Sequence, residues 1–327
     1  MPDAGFIEVE PRSLDDFRII QRLSENHGIS SSLAVMEGHF GLARRVLLKV
    51  TESSLHSGIG VALRLSDEAR LCQALRHPNL LSAHELGRDG DRFFLVRQWV
   101  EGVGLRKLMR GVWDEGTFPV TAALHIGQEI CSALAYLHTL SIQPWAPVGI
   151  VHLAVTPSNI LVTPSGEVFL GNLFGARPIG KSAGADVDPE IAQARPHGSV
   201  PAYEAPEIAT GTNVDGRADL FALAMLLYEA ILGPTALAGN PGFDWRRHRH
   251  DGQILEQLED ADLPDDLKSI LERTMSPRPE DRPSSAQELR DALWHISQSQ
   301  YERRGQEELR MIARQHFEGT EIPEEDD

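Results

Sequence analysis

The run Leu220–Gly233 constrains this chain more than any other segment. It is apolar at nearly every position and carries one carboxylate, Glu229. It is shorter than the roughly 20 residues needed to cross a hydrocarbon core, and Glu229 makes it too polar to do so. A helix that is apolar all round must be covered on every side, so this one belongs at the centre of a protein body. Its neighbours can provide the cover. Apolar residues recur at helical spacing in TAALHIGQEICSALAYLHTL (121–140), in LPDDLKSILERTM (263–275) and in SSAQELRDALWHI (284–296). A last candidate helix, about 300–317, sets Leu309, Ile312, Ala313 and Phe317 on one stripe and is expected to pack back on this body or, as the alternative, on a partner.

The first part of the chain has a different rhythm. FRIIQRL (17–23), SLAVMEG (32–38) and RRVLLKV (44–50) read as strands of an antiparallel sheet. SDEARLCQALR (66–76) reads as a helix with Ser66 as its N-cap. The segment 77–100 reads as a hairpin turning near Gly90. The expected fold is therefore α+β, with a small β-rich half before a larger, mainly helical half. The divisions expected are a flexible leader 1–15, a β-rich unit 16–98, a helical unit 99–297, and a C-terminal helix with an acidic tail 298–327.

Charge narrows the partners. The formal net charge is −17 and the pI about 5.2, which opposes general binding to nucleic acid or anionic membranes. Two cysteines, Cys72 and Cys131, are too few for a disulfide framework or a zinc site and read as buried thiols. The first residues lack a basic segment followed by an apolar one, so no signal peptide is read and a cytoplasmic location is expected.

At GIVHLAVTPSNILVTPSGEVFLGNL (149–173) the chain resembles the catalytic and metal loops of bacterial Hanks-type Ser/Thr protein kinases, and other motifs in the same order extend the resemblance from about Phe17 to Ser297. It implies a bilobal fold with ATP between a β-rich and a helical lobe. Lys49, in VLLKV, matches the lysine that contacts the α/β-phosphates, and Glu68 matches its partner glutamate. Ser24, Asn26 and Ile29 stand where the family has the glycines that let backbone N–H groups approach phosphate. Leu47 replaces an alanine that lies against adenine. LVRQWVEGVGL (95–105) places Arg97 at the apolar gatekeeper position, with Gln98, Trp99 and Val100 as the hinge. Leu47, Arg97, Gln98 and Val100 would line the former nucleotide pocket. A buried guanidinium needs a partner. Arg97 either reaches Glu68, sharing it with Lys49, or swings outward and leaves the pocket open.

The same resemblance marks two losses. The family's His-Arg-Asp reads His152, Leu153, Ala154, so the carboxylate that takes the substrate hydroxyl proton is a methyl group, and the arginine that receives an activation-loop phosphate is a leucine. Thr156 replaces a lysine or serine. Asn159, the metal ligand of this loop, is kept. The metal-loop Asp-Phe-Gly reads Asn172, Leu173, Phe174. Two asparagines without a carboxylate make a poor Mg²⁺ site. Structural matches persist: Glu207 in YEAPE with Arg282 in PEDRPSS, Asp219 bracing the catalytic loop, and His152, Leu173 and Cys72 as internal packing. The resemblance thus implies a pseudokinase that is not an enzyme and serves as a protein-binding scaffold or allosteric regulator of a signalling partner such as an active kinase. A metal-independent nucleotide sensor is the alternative, and a residual or non-canonical transferase ranks third. No cofactor is expected beyond weak ATP binding without Mg²⁺. The basic stretch WRRHRHD (245–251) is read as a solvated loop, the segment 181–198 with Ser182 is implied by the resemblance to be the activation segment, and Trp145 is either a surface anchor or core packing.

Overall fold

The computed structural model describes residues 13–26, 28–37, 43–51, 58–143, 146, 148–180, 201–210, 214–233, 253–301 and 304–317. The leader up to residue 12, Trp145, the 181–198 segment, WRRHRHD and the acidic tail lie outside them. The chain divides into two compact units. Among the described residues, one holds those within 13–73 and 82–99, the other those within 74–81 and 100–317.

In the first unit, β1 (Phe17–Asn26), β2 (Ile29–Glu37), β3 (Ala43–Thr51), β4 (Ala83–Asp89) and β5 (Arg92–Gln98) form an antiparallel sheet in the order β1-β2-β3-β5-β4. The alternation expected of strands is what builds it. Phe17, Ala34, Val46, Leu48, Phe94 and Val96 form the core on one face. Residues 47 and 49 therefore point to the other face, as do 95 and 97, with Leu47 opposite Arg97 and Lys49 opposite Leu95. The β4–β5 turn falls at Gly90, whose φ of 58° is the left-handed region that glycine enters without a Cβ penalty. Helix α1 spans Gly58–Ala74. The expected N-cap, Ser66, lies inside it: the helix begins eight residues earlier, and Leu65, Ala69 and Cys72 line its buried face.

The second unit is built on α2 (Leu105–Glu115), α3 (Val120–Thr139), α4 (Pro206–Thr210), α5 (Arg217–Leu232), α6 (Gln253–Asp260), α7 (Asp265–Thr274), α8 (Ala286–Gln300) and α9 (Gly305–His316). Helix α5 is buried at every position from Ala218 to Ile231, as its uniform apolarity requires. The short strands β6 (Val103–Gly104), β8 (Ile160–Val162) and β9 (Val168–Leu170) form a three-stranded sheet, and β7 (Ile150–Val151) pairs with β10 (Arg177–Pro178). The last candidate helix is two: α8 runs on to Gln300, Tyr301 is extended, and α9 restarts at Gly305. Leu309 and Ala313 are buried and Ile312 and Phe317 partly so, with α9 against α3 and α2. Among the described residues no helix is long and apolar enough to cross a membrane.

Candidate functional site

In the first unit the sheet face opposite the core carries a buried charge cluster. Lys49 Nζ lies 2.8 and 2.9 Å from the two Glu68 carboxylate oxygens, and Arg97 Nη1 donates to Glu68 Oε1 at 2.9 Å. The side chains of Lys49, Arg97 and Glu68 are 11, 2 and 0% exposed, so this is an interior triad. Of the two orientations open to Arg97, the inward one is adopted. Burial works against its charge, but the neighbouring Cys72 and Glu68 outweigh that and its pKa is raised. Burial pushes the Cys72 thiol up to about 11, so it is neutral at pH 7. Leu47 is half-buried beside Arg97 in the β3–β5 register, and the Gln98 N–H donates to Ser82 O at 3.1 Å. Ser24, Asn26 and Ile29 are strand residues: Ser24 pairs with Ser31, Asn26 pairs with Ile29, and Ile29 is buried.

The second unit holds the loop residues on a rigid frame. Asp219 accepts the backbone N–H groups of His152 and Leu153, both at 2.8 Å, and contacts His138 Nε2 at 2.9 Å. This bracing holds Leu153 at φ 62°, a left-handed conformation that costs a leucine about 1–2 kcal/mol. His152 donates Nε2–H to Gly171 O at 3.0 Å and accepts the Ala154 N–H on Nδ1 at 3.2 Å, tying the loop to the residue before Asn172. Glu207 and Arg282 form a two-pronged pair at 2.7 and 2.9 Å. The guanidinium also donates to Ser276 O, Arg217 O and Pro277 O and stacks 4.9 Å from the Phe221 ring centre.

On that frame sit the altered positions. Ala154 is buried, and its carbonyl accepts Asn159 Nδ2 at 2.8 Å. Asn159 Oδ1 accepts Asn172 Nδ2 at 3.1 Å. Asn172 has φ 57°, which asparagine tolerates better than most residues. Magnesium needs hard, mostly anionic oxygen ligands. Here the carboxylate positions are a methyl and an amide, and the Asn159 carbonyl is already engaged, so the donor set does not fit that metal. Among the described residues no group of three or more His, Cys, Asp or Glu could hold a metal ion. Beside Ala154, a small recess is lined by Leu153, Thr156, Tyr203 and Glu204. Among the described residues the buried Thr156 hydroxyl there has no hydrogen-bond partner. Val100, half-buried, begins the longer segment of the second unit. Lys49, Glu68 and Arg97 are thus gathered in one unit, and Asn159, Asn172 and Ala154 in the other.

One cluster was missed in the sequence. Glu229, fully buried in α5, accepts Arg106 Nη1 at 2.9 Å and the Tyr203 hydroxyl, and Arg106 Nη2 donates to Tyr203 at 2.5 Å. Burial, then the adjacent Glu229, push the Tyr203 hydroxyl far up. The signal was present: a lone carboxylate inside an all-apolar helix has to find a cation.

Comparison with known proteins agrees with this geometry. Residues 43–295 match the family described as "Protein kinase domain". Among curated proteins, the chain is 28% identical over 84% of its length to "Tyrosine-protein kinase MasK" of Myxococcus xanthus and 30% identical over 77% to "Serine/threonine-protein kinase pkn2" of the same species. It is 26% identical over 79% to "Serine/threonine-protein kinase PknB" of Mycolicibacterium smegmatis. It spans only 42, 29 and 40% of those three relatives. The crystal structure of the Mycobacterium tuberculosis PknI kinase domain superposes with a TM-score of 0.58 at 22% identity, over 88% of this chain and 98% of that one, a likeness of fold. These findings correct one expectation. A reading as no enzyme, resting on Ala154 and Asn172, does not stand against a family match and relatives that are protein kinases along most of the chain. Two altered side chains leave the fold and its frame in place, and it is these that group the chain with enzymes. The chain belongs to the protein kinase domain family.

Proposed function

We propose that the chain is a protein-binding regulator in signalling, built on a kinase domain whose first unit is held in one arrangement by its own side chains. The observation behind this is Arg97. Glu68, already bonded to Lys49, takes a second cation from the neighbouring strand, which ties α1 to β3 and β5 at once. A helix tied in this way offers one surface whether or not a nucleotide is bound. That suits docking of a protein partner such as an active kinase, while the charge of −17 opposes nucleic acid and anionic membranes. Phosphoryl transfer rests on positioning and electrostatic stabilisation. Whatever transfer the chain performs runs without a carboxylate at positions 154 and 172.

A second reading, a nucleotide sensor that works without metal, is favoured by the presence of Lys49 and Asn159. Thermal stability with excess ATP, with and without Mg²⁺, separates the readings, because a ligand that binds only the folded state raises stability by RT ln(1 + [L]/Kd). The regulator predicts that α1 is equally ordered with and without nucleotide, whatever the shift. A shift independent of Mg²⁺ favours the sensor. A shift accompanied by ordering of α1 only when nucleotide binds overturns the proposal.

A further inference from the structure

Helix α9 lies beyond residue 295, where the family match ends, and it is fitted to the second unit at several points. Three glycines, one of them its own first residue, let it approach closely. A Cβ on Gly305 would lie 2.3 Å from Thr121 O, one on Gly166 2.9 Å from Gln306 O, and one on Gly111 2.5 Å from the His316 ring. Leu309 and Ala313 are buried, and Thr121 Oγ1 bonds Glu308. Arg314 Nε donates to Pro164 O at 3.0 Å, and Gln315 Nε2 to Glu115 at 2.9 Å.

Two of these contacts fall on the turn of one small sheet, and two more on the helix that follows its first strand. Pro164 and Gly166 are in the turn between β8 and β9. Gly111 and Glu115 are in α2, which follows directly from β6. Strand β8 pairs with both β6 and β9. The turn is itself stiff: Thr163 Oγ1 bonds Ser165 at 2.7 Å, Ser165 bonds Glu167 at 2.8 Å, and the Gly166 N–H donates to Thr163 O at 2.9 Å. Gly305 packs on the Cβ of His125 in α3. From this turn the hairpin runs through three residue pairs to its other end, where the Gly171 N–H donates to Asn159 O at 2.8 Å and Asn172 meets Asn159.

We propose that α9 is a clamp built into the second unit. It fixes the β8–β9 hairpin from the turn side and so sets the geometry of the Asn159–Asn172 pair at the far end. Whatever draws α9 off α3 loosens that pair without touching it. The proposal stands apart from the function given above, since it concerns only the second unit.

Amide hydrogen exchange on the full chain tests it. Leu309→Glu with Ala313→Glu, which lifts α9, is expected to speed exchange along Ile160–Leu170 about tenfold and leave α5 unchanged. Arg314→Ala, which removes one bond and leaves the fold intact, is expected to speed exchange about threefold, confined to residues 163–167. The clamp is refuted if α9 opens while β8–β9 keeps its protection, if α5 loses protection in equal measure, or if Arg314→Ala leaves the turn unchanged.

Discussion

Two polar sites of the second unit are built on opposite principles. Glu207 and Arg282 are full charges taken out of water, and the guanidinium spreads its donors over the carboxylate and three backbone carbonyls. Asn159 and Asn172 are neutral and half-buried, joined by one amide hydrogen bond. The first site ties distant segments together. The second lies where the resemblance to kinases calls for negative charge to hold metal. Charge in this unit therefore sits where it joins elements and is missing where it would serve chemistry. The triad of the first unit follows the joining principle: Glu68 connects a helix to two strands.

Removing one member of the joining pair should have the largest effect. Arg282→Met leaves Glu207 buried without its cation and is expected to cost about 3–5 kcal/mol in chemical denaturation. A loss under about 1 kcal/mol, the scale of exposed pairs, would erase the contrast. Next comes charge placed at the neutral site. Asn172→Asp sets a carboxylate against Asn159 Oδ1 in place of a donor. It is expected to cost about 1–2 kcal/mol without divalent cations, with recovery on adding Mg²⁺. Combined with Ala154→Asp it should raise phosphotransfer to a generic protein substrate at least about tenfold over the wild type. Equal rates would mean that neither position governs the chemistry.

A smaller effect follows from pH. Burial holds His77, His84 and His125 below their ordinary value of 6.5, with Glu129 opposing it at His77 and His125 and Arg44 adding to it at His84. Below pH 6.5 the unfolded chain therefore binds more protons than the folded one, so stability falls as pH drops from 6.5 toward the lowered folded values. Melting temperatures from pH 7.5 to 5 check this, and His125→Gln should flatten part of the slope. The smallest change is Thr156→Val. Among the described residues the buried hydroxyl there has no partner, so the isosteric swap should be neutral or stabilising by up to about 1 kcal/mol. A clear destabilisation would show that the hydroxyl has a bond in solution.

The elements that carry strong patterns were legible in the sequence. Alternation marked β1, β2 and β3, and α5 announced its burial by being apolar on all sides. The start of α1 was not legible, because Gly58 and Gly60 are weak helix formers. The break between α8 and α9 was not read, and the close approach of Gly305 to Thr121 O is visible only in the folded unit. At the sites, motif order found Lys49, Glu68, Asn159, Asn172, Glu207, Asp219 and Arg282. It left the direction of Arg97 open, since strand register and helix placement together decide it. Arg106 and Tyr203 stayed unseen because their link to Glu229 spans 123 and 26 residues.

The central claim is that the Lys49–Glu68–Arg97 triad holds α1 in place without a nucleotide. Amide exchange across Leu65–Ala74, with and without ATP and Mg²⁺, tests it most directly. The account predicts the same protection in both conditions, and loss of protection in Arg97→Met. Fast exchange in the free protein, with protection gained only on adding nucleotide, would contradict it.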